Sequence, residues 1–103
     1  MSQWQTIANI PEIPVGGLKA VTIKGIPIVL FNLEGEYYAI ENRCTHQDFP
    51  LSEGHIIDNQ ITCPLHGAKF NIKTGQVTAP PAFMDLTTFA VRIEEGKIQV
   101  ELP

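Results

Sequence analysis

Two short stretches of the chain carry donors that transition metals select. Cys44-Thr45-His46 and Cys63-Pro64-Leu65-His66 each set a thiol beside an imidazole, and sixteen residues separate His46 from Cys63. Thiolate mixed with imidazole suits zinc or iron. The chain turns after each stretch, with Pro50 four residues past the first histidine and Gly67 directly after the second. Two loop tips held side by side would bring four ligands, Cys44, His46, Cys63 and His66, to one centre. Residue types and spacing leave that centre open between tetrahedral zinc and a two-iron site. A lone Cys44–Cys63 disulfide would leave both histidines without a role.

Such loops need a rigid base, and the flanking sequence reads as β-structure. Val21 and Ile23 alternate with Thr22 and Lys24 before Gly25. Ile28 to Phe31 reads as a buried strand, Glu34-Gly35 as a turn and Tyr37 to Ile40 as the return. Ile56-Ile57, Asp58-Asn59, Ile61-Thr62 is a short hairpin between the two ligand stretches, its Asp-Asn pair tolerating the positive φ of tight turns. Phe89, Val91 and Ile93 share a face, Glu95-Gly96 turns the chain, and Ile98, Val100 and Leu102 share a face on the way back. The fold class is all-β, an antiparallel sandwich or small barrel, with room for a helical turn near Ser52-Glu53. Residues 41–81 hold both cysteines, all three histidines and Pro80-Pro81. They read as a loop-rich subdomain on a base built by residues 1–40 and 82–103, within one domain spanning 1–103. So few loop-rich residues would bury too little apolar area alone.

Composition removes other classes. The 103 residues hold 11 acidic and 7 basic side chains, a net charge of −4, with 44% hydrophobic residues, enough for a packed core. Two cysteines are too few for a disulfide scaffold. An acidic balance with no basic cluster argues against nucleic acid. The longest apolar run, Ile26 to Phe31, is far short of the roughly 20 residues of a membrane helix. The start, Met1 to Thr6, lacks the features of a signal peptide. The expectation is a cytoplasmic monomer, in a compartment where thiols stay reduced and cysteines serve metals or catalysis.

Cys44-x-His46, sixteen residues, then Cys63-x-x-His66 resembles the Rieske [2Fe–2S] signature in order and spacing. The resemblance continues through Leu51-Ser52-Glu53-Gly54, Cys63-Pro64-Leu65-His66-Gly67, Phe70-Asn71, Thr74-Gly75 and the proline-bearing Ala79-Pro80-Pro81-Ala82. It is close over residues 41–82 and looser elsewhere. It implies a Rieske-like β-sandwich base with a cluster-binding subdomain, and one [2Fe–2S] cluster with Cys44 and Cys63 on one iron and His46 and His66 on the other. Two ferric ions and two sulfides carry about +2, so two thiolates bring the oxidised site to about zero. An all-cysteine site would be more negative and harder to reduce.

At this length the chain resembles the stand-alone ferredoxins of bacterial ring-hydroxylating dioxygenases. The resemblance implies a soluble one-electron carrier between an NAD(P)H-dependent flavoprotein reductase and a terminal oxygenase. It would not be an enzyme in itself, since only His55 remains for the two-histidine, one-carboxylate iron site an oxygenase needs. Two alternatives are the Rieske-like small subunit of an assimilatory nitrite reductase and a zinc-stabilised interaction module. Among other residues, His55 reads as an ordinary exposed histidine, Pro80-Pro81 as a lid on the cluster, and Trp4, Tyr37 and Tyr38 as core or sheet-face residues. Lys69 and Lys73 read as solvated, and Asp48 and Glu53 could form an acidic docking rim for a reductase.

Respiratory members of the family place an extra cysteine in each cluster loop, where this chain has Asp48 or Phe49 and Leu65. They also place hydroxyl donors where this chain has Ala68 and Phe70. Donors aimed at the cluster sulfurs stabilise the reduced state, so their absence implies a midpoint potential at the low end of the family range, roughly −150 mV. Ferric iron lowers the pKa of a bound imidazole, so the potential should stay level with pH until that range and then fall. Redox titration across pH checks both statements; a clearly positive midpoint would contradict the first, and a midpoint level into strongly alkaline solution the second.

Overall fold

A computed structural model describes residues 3–45, 49–65 and 67–103. The strands run β1 (Gln3–Asn9), β2 (Leu18–Ile23), β3 (Ile26–Leu33), β4 (Glu36–Glu41), β5 (His55–Ile57), β6 (Gln60–Thr62), β7 (Lys69–Asn71), β8 (Val77–Ala79), β9 (Thr88–Phe89), β10 (Val91–Glu94) and β11 (Lys97–Leu102). Helix among the described residues is confined to two single 3-10 turns, Ile10–Glu12 and Leu51–Glu53, the second where the sequence left room for a helical turn. None of these is long and apolar enough to cross a membrane.

The strands form three antiparallel sheets, ordered β1-β11-β10, β2-β3-β4-β9 and β5-β6-β7-β8. Sheet β2-β3-β4-β9 separates two apolar cores, and β3 shows why. Its odd-numbered Val29, Phe31 and Leu33 pack into one core, which also holds Cys44, Leu51, Ile61, Cys63, Phe70 and Leu86. Its even-numbered Ile28 and Leu30 pack into the other, with Ile98, Val100 and Leu102 of β11. Successive strand side chains point to opposite faces, so a strand covered on both sides reads as an unbroken apolar run. The run of Ile26 to Phe31 is that signature. On β11, Lys97, Gln99 and Glu101 alternate with the three core residues, as expected of a sheet with one wet face.

Each of the hairpins β2–β3, β3–β4, β5–β6 and β10–β11 is closed by two residues that both have positive φ, among them Asp58 (51°) with Asn59 (62°) and Glu95 (51°) with Gly96 (77°). This backbone twist matches that of the flanking strands. Gly96 takes it without side-chain strain, whereas Asn59 is among the few other residues that tolerate it. One sequence expectation needs correcting. Phe89, Val91 and Ile93 do not form one strand face, because the chain changes sheets at Ala90: β9 pairs with β4 and β10 with β11. Phe89 and Val91 pack against the second core, but Ile93, on the edge strand β10, stays 45% exposed.

Gly54 lets the Leu51–Glu53 turn lie against the strand that delivers Cys63. A Cβ at Gly54 would fall 1.9 Å from the Thr62 carbonyl oxygen, whereas one at Gly25 (φ +80°) would meet nothing within 4 Å. Gly54→Ala is therefore expected to destabilise the fold by about 3 kcal/mol through backbone displacement. Gly25→Ala should lose only about 1 kcal/mol, from left-handed strain. Denaturant midpoints of the two variants check the ranking.

Candidate metal centre

Two loops rise from the ends of β4 and β6, and the same backbone device closes both. The Cys44 N–H donates to the Phe49 carbonyl at 2.8 Å, and the Cys63 N–H donates to the Ala68 carbonyl at 2.7 Å. In each case a cysteine binds the carbonyl five residues on, and in the sequence His46 falls between one such pair and His66 between the other. A further bond, from the Gly67 N–H to the Cys63 carbonyl at 3.1 Å, tightens the second loop.

Polar side chains hold the first loop to its base. Asn42 donates from Nδ2 to the Ser52 hydroxyl at 3.0 Å and accepts the Ser52 N–H on Oδ1 at 2.8 Å. The Asn42 N–H donates to the Pro27 carbonyl at 2.9 Å. The start of the loop is thus tied both to β3 and to the turn that follows it. Leu51, fully buried beside Ser52, plugs the core beneath.

The cysteines are buried thiols, Cys44 1% and Cys63 2% exposed, in one apolar core and not joined by a disulfide. Ala68 and Phe70 are fully buried in the same core. A buried thiolate needs compensating positive charge, and a metal ion that takes a thiol as ligand also deprotonates it. The donor set therefore fits a metal centre. Cys44 and Cys63 are the two expected ligands within the described residues; His46 and His66 lie outside them. Among the described residues no three His, Cys, Asp or Glu side chains gather as a ligand set.

A third loop packs against this core. After the cis Pro80–Pro81 bond, Ala82 is buried in the core of both cysteines, while Phe83 and Met84 are 84% and 59% exposed. The Thr45 hydroxyl donates to the Met84 carbonyl at 2.8 Å, and Asp85 Oδ1 accepts the Val77 N–H at 2.9 Å. The Leu86 N–H donates to the Gly75 carbonyl at 2.7 Å. A Cβ at Gly75 would fall 2.5 Å from the Leu86 carbonyl oxygen, so glycine permits this approach.

The other residues noted in the sequence lie elsewhere. His55 is exposed on β5, opposite Thr62. Glu53 is exposed, and Asp48 lies outside the described residues. Lys73 places its ammonium 5.7 Å above the Tyr38 ring, and Arg92 its guanidinium 4.3 Å above Trp4. The Tyr38 hydroxyl donates to Glu36 Oε2 at 2.5 Å, and that bond to a carboxylate raises its pKa. Sequence reasoning missed Asn42, Thr45 and Asp85 as loop supports. Position gave the one available signal, since Asn42 stands two residues before Cys44 and Thr45 directly after it.

Comparison with known proteins agrees with this arrangement. The model of the Rieske [2Fe-2S] domain matches residues 3–90. The chain is 42% identical over 96 residues to the 3-phenylpropionate/cinnamic acid dioxygenase ferredoxin subunit of Escherichia coli (strain K12), covering 91% of this chain and 89% of that one. It is 34% identical over 100 residues to the ferredoxin component of the naphthalene 1,2-dioxygenase system of Pseudomonas aeruginosa, covering 97% and 96%. A chain of the solved complex of reduced oxygenase and oxidized ferredoxin in carbazole 1,9a-dioxygenase superposes with a TM-score of 0.89 at 32% identity, covering 94% of this chain and 91% of that one. Two cysteine loops of one design, closed over a shared core on an antiparallel β-base, together with these matches, establish that the chain belongs to the Rieske [2Fe–2S] family and carries a Rieske-type two-iron cluster.

Proposed function

We propose that the protein is a one-electron carrier of a multicomponent oxygenase system, with Cys44 and Cys63 holding one iron of the cluster and His46 and His66 the other. The observation that carries this reading is the matched closure of the two loops. Both cysteines are buried in one core, and each closed stretch contains one histidine in its sequence. When bound, the two-iron centre takes up and gives back one electron. The chain's own residues bury the cysteines, exclude water from them through Leu51, Phe70 and Ala82, and hold the loops through Asn42 and Ser52. The two histidine ligands are where an electron would enter and leave.

The partners follow from the relatives, which are ferredoxin components of dioxygenase systems. In this reading the electron comes from an NAD(P)H-dependent flavoprotein reductase and passes to a terminal oxygenase. Residues 41–81 serve as the cluster-binding part and residues 1–40 and 82–103 as its base. The cytoplasm is the compartment we assign, because both cysteines are needed as reduced ligands.

The EPR spectrum of the dithionite-reduced protein tests the ligand assignment. A signal typical of mixed histidine and cysteine ligation is the expected result. Silence with stoichiometric zinc would overturn the assignment. Replacing both histidines by cysteine (His46→Cys with His66→Cys) should keep a two-iron centre but lower its midpoint toward roughly −400 mV, the range of all-cysteine plant-type clusters. An unchanged midpoint in that variant would exclude the two histidines as ligands.

A further inference from the structure

We propose that Thr45 is a positioning residue whose hydroxyl latches the third loop onto the first cluster loop and so sets how much water reaches the redox centre. The inference rests on the reading that the Cys44–His46 loop holds the cluster.

The third loop is fastened unevenly. At its far end Asp85 accepts the Val77 N–H at 2.9 Å and Leu86 donates to the Gly75 carbonyl at 2.7 Å. At its near end Ala82 is 6% exposed in the core of both cysteines. Between these anchors Phe83 and Met84 point largely into solvent, so burial contributes little to holding their backbone. Among the described residues, the hydrogen bond that reaches this crest runs from the Thr45 hydroxyl to the Met84 carbonyl, 2.8 Å long and spanning 39 residues of sequence.

Thr45 is well suited to the task. It follows Cys44, whose own N–H is fixed on the Phe49 carbonyl, so its backbone is set by the closure of the cluster loop. A β-branched side chain is also restricted at χ1, which narrows the directions its hydroxyl can take. Without the bond the crest could swing on its two anchors and admit water beside Ala82. Water favours the more negative, reduced form of a cluster that is about neutral when oxidised, and solvent exposure is among the factors that set such potentials.

Two substitutions separate the hydroxyl from the methyl group. Thr45→Val keeps the shape and removes the donor, whereas Thr45→Ser keeps the donor. Chymotrypsin cleavage after Phe83 in the full-length folded protein, followed by mass spectrometry, reports how often the loop opens, because cleavage tracks the open population. Thr45→Val should speed that cleavage about three- to tenfold, the equivalent of one hydrogen bond, and Thr45→Ser should stay within about twofold of the parent. The midpoint potential of the cluster-loaded protein should rise in Thr45→Val and return to the parent value in Thr45→Ser. Unchanged cleavage in Thr45→Val, or equal changes in both variants, would overturn the latch. Faster cleavage with an unmoved potential would overturn its effect on the redox centre. A colourless parent protein whose cleavage still separates Val from Ser would instead overturn the cluster reading on which the positioning role rests.

Discussion

The structure depends on a central strand that must be apolar on both faces. β3 gives Val29, Phe31 and Leu33 to the core beneath the cysteines and Ile28 and Leu30 to the core of the base. One backbone therefore couples the part that would bind the cluster to the part that supplies most of the regular sheet. A polar residue at any of these positions would lose burial worth about 1.5–3 kcal/mol and add desolvation. The strand's own polar exception, Asn32, meets that demand with partners: its Nδ2 donates to the Ile13 carbonyl at 2.8 Å and its Oδ1 accepts the Gly35 N–H at 2.9 Å.

Above this strand, polar groups do what apolar packing cannot. A loop that presents ligands cannot bury its tip, so it must be held at its root. In the first loop the root is the reciprocal Asn42–Ser52 pair and the Cys44 N–H. In the second it is the β6–β7 ladder, in which Thr62 pairs with Lys69 directly beneath the Cys63–Ala68 closure. The two loops thus reach the same closure from different supports. A bond of this kind contributes only about 1 kcal/mol net, but it fixes a direction, which a ligand set requires more than it requires stability.

Local pattern made much of this legible. The apolar run of β3, the alternation along β11, and the Asp58–Asn59 and Glu95–Gly96 turns are each written within a few residues, because strand period and turn conformation are local properties. The ligand stretches were legible for the same reason, as thiol and imidazole at short spacing. What was not legible is non-local. The apolar run marks β3 as buried, but nothing in the sequence marks which elements cover each of its faces, or that the chain changes sheets at Ala90 and leaves Ile93 on an exposed edge. Nor does it show that Thr45 meets Met84, a contact with no periodic trace. Gly54 was part of a recognised motif, but its reason, the Thr62 carbonyl where a Cβ would stand, appears only once the chain is folded.

The pairing of β1 with β11 has a consequence for folding. Gln3 lies opposite Leu102 and Trp4 opposite Glu101, so the first strand waits for the last before its sheet can close. The core around Cys44 and Cys63 draws on residues no later than Leu86. The core around the cysteines and the β1–β11 closure thus make different demands on the chain, the first met by residues up to Leu86 and the second only by nearly its full length. Such a long-range pairing also slows folding, because its loop closure must come before its contacts form. A single domain of this size folds cooperatively, so the pairing of its first strand with its last holds both ends of the described chain in one event.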